Sequence, residues 1–329
     1  VPIGANAPRK IDMNFFKELG EGKPELFTAT VREAMSGAVF NGDVIQLGRG
    51  SDEGQIHGAR LGHSRLSRVR FLPKALVRTL QNEDFANFTV PICSSESWTV
   101  GGAQLEDKSV FFNFTASETE VIASNRLSIC GRLPLQRFLE EVQLFSGRDA
   151  SDLYGPTVIV NMPSDCHATL VRTLNCILNL TDGQSTQSEL EGRLTRTMAI
   201  IFAMSVNSGS ANKATWSQKE GLVSKAREYY ASGLSNKPSV ADLCRATEVS
   251  APTLISAFRD VTGETPARFF ALQRLASVHD KLVQASKPKP MVKQVALAHG
   301  FTDLGRFGSL YKSVYGVLPS EQTKCFAPI

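Results

Sequence analysis

No stretch of the 329-residue chain holds about 18 consecutive apolar residues, so no segment reads as a membrane-spanning helix. The first ten residues, VPIGANAPRK, lack the apolar core of a secretion signal, and the expected location is cytoplasmic. The six cysteines (Cys93, Cys130, Cys166, Cys176, Cys244 and Cys325) form no CxxC pair. Their wide scatter predicts reduced, mostly buried thiols rather than disulfides or a zinc cage. The five histidines also show no metal-ligand spacing, and neither a metal nor a cofactor is expected.

Further absences argue against an enzyme. His57 and His63 lie in a glycine-rich segment without the tight His/Glu cluster that a metal-dependent cupin needs. The segment GRGSDEG (48–54) contains GxG, but no convincing helix follows to receive a dinucleotide. Cys166 and His167 are adjacent, with no identifiable partner acid, and read as a helix start.

The charge that is present is unevenly placed. The whole chain carries +4, yet from Trp216 onward there are 15 Lys+Arg against 9 Asp+Glu. The remainder holds 21 basic and 23 acidic residues. A basic C-terminal third on a slightly acidic body points to a polyanionic partner.

Apolar periodicity divides the chain at the same place. Residues 1–30 read as an irregular lead-in broken by Pro2, Pro8 and Pro24, and residues 31–132 mostly as strands. Asn41-Gly42 is a hairpin-turn signal between Val39-Phe40 and Val44–Leu47. Several short strands at close spacing predict a barrel or jelly-roll sandwich. From Pro134 the period changes to 3.6, with helices predicted in 134–147, 167–180 and 188–206. These either pack on the β-domain or form a helical hairpin with a spare apolar face for dimerisation. The small, polar NSGSANKAT (207–215) reads as the linker. The predicted domains are thus 1–206, with helices at about 134–206, then the linker 207–215, then 216–329.

The last third repeats itself. Val240, Leu243, Ala246 and Val249 recur 52 positions later as Val292, Val295, Ala298 and Phe301. Leu254, Phe258, Gly263 and Pro266 recur at an offset of 53 as Phe307, Tyr311, Gly316 and Pro319. Each unit is a short helix, a tight turn, a second helix, then Gly and Pro stops. Ser250 and Thr302 stand as N-caps where each second helix begins. This is the pattern of a helix-turn-helix, in which the first helix braces a second that enters a major groove. The 18 residues of 265–282 bridge the two copies and would span roughly 27 Å as a helix, suited to two adjacent grooves on one DNA face. A paired helical scaffold that binds another protein would carry the same pattern.

The motifs PSVADLCRATEVSAPTLISAFRDVTGETPARFF and VALAHGFTDLGRFGSLYKSVYGVLPSE resemble the DNA-binding domain of AraC/XylS-type bacterial transcription regulators, over residues 216–323. The Leu-Gly-Arg-Phe variant in the second is like that of the XylS branch. The β-rich domain and the helices before the linker agree with the family's sensor and dimerisation domain in layout only. The resemblance implies an α+β multidomain chain. Its N-terminal domain would be a cupin-like β-barrel with dimerisation helices, and its C-terminal domain an all-α tandem helix-turn-helix. It further implies a homodimeric regulator at the bacterial nucleoid, more often an activator, with promoter DNA, RNA polymerase and an unknown small-molecule effector as partners.

On the second unit, Thr302, Asp303, Arg306, Ser309 and Lys312 should face outward. Arg306 is suited to a guanine edge, Lys312 to phosphate, and Thr302 with the helix N-terminus to phosphate. The first unit departs from the family, whose reading face often carries Arg or Gln. Its outward residues include Ser250, Thr253, Ile255, Ser256 and Arg259, of which Ile255 can touch only a thymine methyl. Glu248 also stands in the tight turn where the second unit has Gly300. Lys287 is a further candidate phosphate contact. In the N-terminal domain, His63, Arg65 and Trp98 are candidate effector anchors because they lie among the strands; ordinary core or surface roles account for them equally. Two other readings stay open: a helical protein-interaction module, and a cupin-like enzyme with a helical appendage.

Overall fold

A computed structural model of the chain describes residues 23–35, 41–51, 54–80, 82–93, 98–106, 108–114, 118–148, 157–180, 185–213, 218–232, 238–284 and 290–322. Its N-terminal part is two sheets. The first comprises β1 (Glu25–Thr30), β3 (Gln55–Leu61), β4 (Ser64–Phe71), β11 (Arg126–Pro134), β6 (Phe85–Cys93), β9 (Ser109–Asn113), β12 (Val158–Asn161) and β13 (Ala211–Lys213), in that order. The second comprises β2 (Gly42–Gln46), β5 (Ala75–Leu80), β10 (Glu118–Ala123), β7 (Thr99–Val100) and β8 (Ala103–Gln104). Both orders are open-ended. Among the described residues the two sheets are thus not closed into the expected cupin-like barrel.

Several local expectations change with it. A strand, β1, ends the supposed irregular lead-in, and helix α1 (Val31–Met35) interrupts the strand-rich region. Gly42 does not turn a hairpin: it lies in β2 opposite Thr79 of β5, and a Cβ there would collide with the Arg78 carbonyl oxygen. The supposed linker contains β13, which pairs with β12. Of the described cysteines, all free, only Cys130 is buried; Cys166 and Cys176 are exposed.

Three helices cover the outer face of the larger sheet: α2 (Leu135–Ser146), α3 (Ser164–Leu180) and α4 (Gln187–Ser208). Their ends follow from sequence. Gly147 and Gly209 take left-handed φ values of 67° and 72° as C-caps, and Thr186 with Glu189 closes a capping box on α4. Beneath them, Phe112, Phe114, Phe138 and Phe202 form one aromatic cluster, with Phe112 and Phe202 edge to face at 5.0 Å. Full burial of each such side chain stabilises by roughly 1.5–3 kcal/mol.

The C-terminal part is α5 (Gln218–Ser232), α6 (Val240–Thr247), α7 (Ala251–Thr262), α8 (Pro266–Gln284), α9 (Val292–Ala298), α10 (Leu304–Tyr315) and α11 (Pro319–Gln322). No helix among the described residues is long and apolar enough to cross a membrane. The helical part is docked on the smaller sheet. Ile45, Leu47, Leu76 and Ile122 join one core with Val223, Phe270 and Leu272. The α10 carbonyl of Val314 accepts from Gly50 N (3.0 Å) and from Gln46 Nε2 (3.0 Å). The largely buried Arg227 of α5 pairs with Glu120 of β10.

Candidate nucleic-acid interface

Helices α6–α7 and α9–α10 are two copies of one unit, joined by α8. In each, a buried stripe on the second helix turns toward the core: Leu254, Ala257 and Phe258 on α7, and Phe307, Tyr311 and Val314 on α10. The same 3.6-residue period leaves the opposite face in solvent. Thr253, Ser256 and Arg259 are exposed on α7, and Arg306, Ser309 and Lys312 on α10. These are matched positions, because 253, 256 and 259 plus the offset of 53 give 306, 309 and 312. Ile255 is only half-buried and matches Gly308. Each second helix thus presents a polar ridge of equivalent residues, with a cation in the last turn of each.

The shift in offset has a local cause. Phe301 N donates to Ala296 O, and Val249 N donates to Cys244 O, so the two turns agree at an offset of 52 up to this point. Ser250 then caps α7, its side chain accepting from Thr253 N. The cap of α10 is Asp303, which accepts from Arg306 N at 3.0 Å, rather than the expected Thr302. Thr302 is the extra residue in the second turn and is exposed. Asp303 also holds the guanidinium of Arg306, Nε to Oδ2 at 3.3 Å, although the Arg306 side chain is 91% exposed. The cap pre-orients the arginine from its own helix, and the surface position leaves it free to exchange that partner.

The turns differ in strain. Gly300 has φ 79°, and Glu248, at the equivalent place, has φ 59°. A left-handed conformation costs a residue with a Cβ roughly 1–2 kcal/mol. Glu248→Gly is therefore expected to stabilise the first unit by about 1 kcal/mol, read as a higher Tm of the full chain. An unchanged or lower Tm would show that the turn carries no such strain.

The two glycines of α10 have different reasons. A Cβ on Gly305 would lie 3.4 Å from Asp303 Oδ1, tight against the capping carboxylate. A Cβ on Gly308 would meet nothing within 4 Å. Packing does not require Gly308, and its cost in a helix is about 1 kcal/mol relative to Ala. Gly308→Ala is expected to raise stability by that amount and to weaken DNA binding by crowding the groove. Unchanged DNA affinity would remove close approach as the reason for this glycine.

The remaining cations divide by role. Arg274 of α8 hydrogen-bonds Tyr230 of α5 and lies 5.4 Å from the Phe301 ring, tying the bridging helix to both neighbours. Arg268 pairs with Glu264, and Lys219 with Asp260. Arg259 and Lys312 have no ion-pair partner among the described residues. Lys287 lies outside the described residues.

The three candidate effector anchors are not brought to one place. His63 is exposed on the β3–β4 turn. Arg65 is buried in β4, directly across strands from Arg60 and Arg132. Burial, then these two like charges, pull its pKa down to about 9. Trp98 is buried, with the Arg126 guanidinium 5.4 Å from its ring. Between the sheets, a space of about 60 Å³ is lined by Arg126, Cys130, Thr89 and Asn113. Sequence reading missed Arg126 and Arg132, because alternation alone does not separate an inward arginine from an outward one.

Comparison with known proteins agrees with the repeat. Residues 243–324 match a family described as a helix-turn-helix domain. A probable thc operon regulatory protein of Rhodococcus erythropolis is 31% identical over 104 residues, covering 32% of this chain and 31% of that protein. The XylDLEGF operon transcriptional activator of Pseudomonas putida is 29% identical over 94 residues, 29% of each chain. The chain thus aligns with about a third of the length of these relatives. Among solved structures, the AraC-like transcriptional activator CuxR is 15% identical with a TM-score of 0.39, covering 77% of this chain and 95% of that one. ToxT from Vibrio cholerae O395 is 12% identical with a TM-score of 0.30, covering 81% and 98%. By its paired units and its match to that family model, the C-terminal third of the chain is a helix-turn-helix domain, similar in sequence to part of these operon regulators.

Proposed function

We propose that the protein is a sequence-specific DNA-binding transcription regulator, an effector-responsive activator that works as a homodimer. The observation that carries this reading is the pair of matched polar ridges on α7 and α10, linked by the 19-residue α8. At 1.5 Å per residue, α8 spans roughly 28 Å, close to the ~34 Å that separates adjacent major grooves on one face. Arg306 supplies base reading; Arg259 and Lys312 neutralise phosphates; the first unit mainly positions the protein.

Homodimer formation is assigned to α3 and α4. An apolar groove of about 780 Å³ between them is lined by Leu170, Ile201 and Met204, and Met204 is 59% exposed. Signal transfer is assigned to the docked smaller sheet, where Glu120, Gln46 and Gly50 hold α5 and α10. An effector that binds one docked arrangement more tightly than another shifts how the reading helices are presented. RNA polymerase would be the downstream partner of an activator.

The deciding experiment is retention on DNA selected from a random pool, against scrambled DNA, at several salt concentrations. With about six phosphates neutralised, log affinity should fall against log salt with a slope near about −5. Binding without sequence preference, or without salt dependence, would favour a helical protein-interaction module instead.

A further inference from the structure

The space between the two sheets holds a cation with no anion to meet it. Arg126, the first residue of β11, is 9% exposed and lines this space of about 60 Å³. No Asp or Glu among the described residues lines it, and Arg126 forms no ion pair with any of them. Its guanidinium is held by long bonds to neutral groups. Nε donates to Ser128 Oγ at 3.3 Å and Nη2 to Cys130 Sγ at 3.5 Å. Nη1 has no hydrogen-bond partner among the described residues, and it is not an enclosed atom: part of its surface stays open. A guanidinium has five N–H donors and no acceptor. A buried charge without a counter-charge is strongly unfavourable, so a buried arginine on an acid-free space asks for an anion.

The surrounding wall selects the kind of anion. Thr89 Oγ1 donates to the same Cys130 Sγ, also at 3.5 Å, so its hydroxyl and Nη2 of Arg126 flank one sulfur. Sulfur is a weak acceptor, and a carboxylate at that point would take both protons in stronger, charge-assisted bonds. Much of the remaining lining is apolar, with Val69, Val77, Phe111 and Val121. It suits a hydrocarbon tail rather than a second charge. A space of about 60 Å³ holds about four water-sized groups, the size of acetate or propionate.

We propose that the space between the sheets binds a short-chain monocarboxylate, its carboxylate on Arg126 and Thr89 and its tail against Val77 and Val121. Val77 and Val121 belong to β5 and β10 of the smaller sheet, along which side chains alternate between faces. Their neighbours Leu76 and Ile122 lie in the core shared with α5 and α8, and Glu120 pairs with Arg227 of α5. One sheet thus separates the bound tail from the helical part. The binding stands on this space alone; only naming the carboxylate as the effector rests on the regulatory reading above.

The test uses the full chain carrying Trp216→Phe, which leaves Trp98 as its one tryptophan. The Trp98 ring lies 5.4 Å from the Arg126 guanidinium and reports on it. Propionate, titrated at constant ionic strength, should change the Trp98 emission saturably. Propionamide has nearly the same shape and no charge, and should bind at least about ten-fold more weakly, because it gives Arg126 no charged acceptor. Arg126→Met should abolish the propionate response while the circular dichroism persists. If that variant does not fold, the comparison of the two ligands on the parent chain decides. No saturable change, or equal affinity for acid and amide, would overturn the proposal. Retention on DNA is scored separately. A chain that binds propionate without preferring any DNA sequence would fail the regulatory reading and keep the site; one that prefers a DNA sequence without binding propionate would do the reverse.

Discussion

Replacing Tyr311 with Ala is expected to cost about 3–5 kcal/mol, the largest stability loss at any single position of the reading helices. The ring is fully buried. It packs on Phe307 at 5.9 Å and Tyr315 at 4.7 Å. Its hydroxyl meets Nδ1 of the fully buried His279 on the bridging helix at 2.5 Å, and His279 in turn stacks on Tyr315 at 3.9 Å. This cluster sets the angle between α8 and α10, so its loss should remove specific DNA retention along with stability. Tyr311→Phe separates the two contributions. It keeps the ring, removes one hydrogen bond of His279, and should cost only about 1–3 kcal/mol. Urea denaturation followed by circular dichroism checks both. A loss under about 1 kcal/mol for Tyr311→Ala would mean that α10 is held mainly by its contacts with the smaller sheet.

Much of this arrangement was legible in the sequence because helices announce their ends. Ser250, Gly263, Gly147 and the 3.6-residue stripes place α7 and α2 to within a residue or two. The start of α10 was misplaced by one because Thr302 and Asp303 are both good caps, and only the fold shows which side chain accepts from Arg306 N. The sheets were less legible. β13 reads Ala-Asn-Lys and has no alternation, so nothing local distinguishes it from linker. Asn41-Gly42 carries a hairpin signal, yet the glycine is there for the close approach of the Arg78 carbonyl, which only strand pairing creates. The docking of the two parts was invisible for the same reason: Gln46 meets the Val314 carbonyl across 268 positions of chain, and no short pattern records such a contact. The outward ridge of the second unit could be read from period alone; the tie between Arg306 and Asp303 could not, since it depends on which residue caps.

That tie shapes the expected result for Arg306→Ala. If Arg306 exchanges Asp303 for the O6/N7 edge of a guanine, truncation should lower affinity for selected DNA by about 1–3 kcal/mol, or roughly five- to 150-fold, and relax preference at one or two base pairs. Affinity for scrambled DNA should change little, because the lost contact is to a base. Lys312→Ala and Arg259→Ala should behave oppositely, weakening all sequences alike and reducing the magnitude of the salt slope by about 1 each. Asp303→Asn serves as a control for the cap: it keeps an acceptor for Arg306 N, removes the ion pair, and should leave base preference in place while freeing the guanidinium. The measurement is a selection from random DNA repeated for each variant, with affinities taken at three salt concentrations. A uniform loss for Arg306→Ala, with preference intact, would assign Arg306 to phosphate. The matched position Thr253 on the first unit would then gain weight as a reader, since it occupies the same place on a ridge whose cap, Ser250, carries no charge.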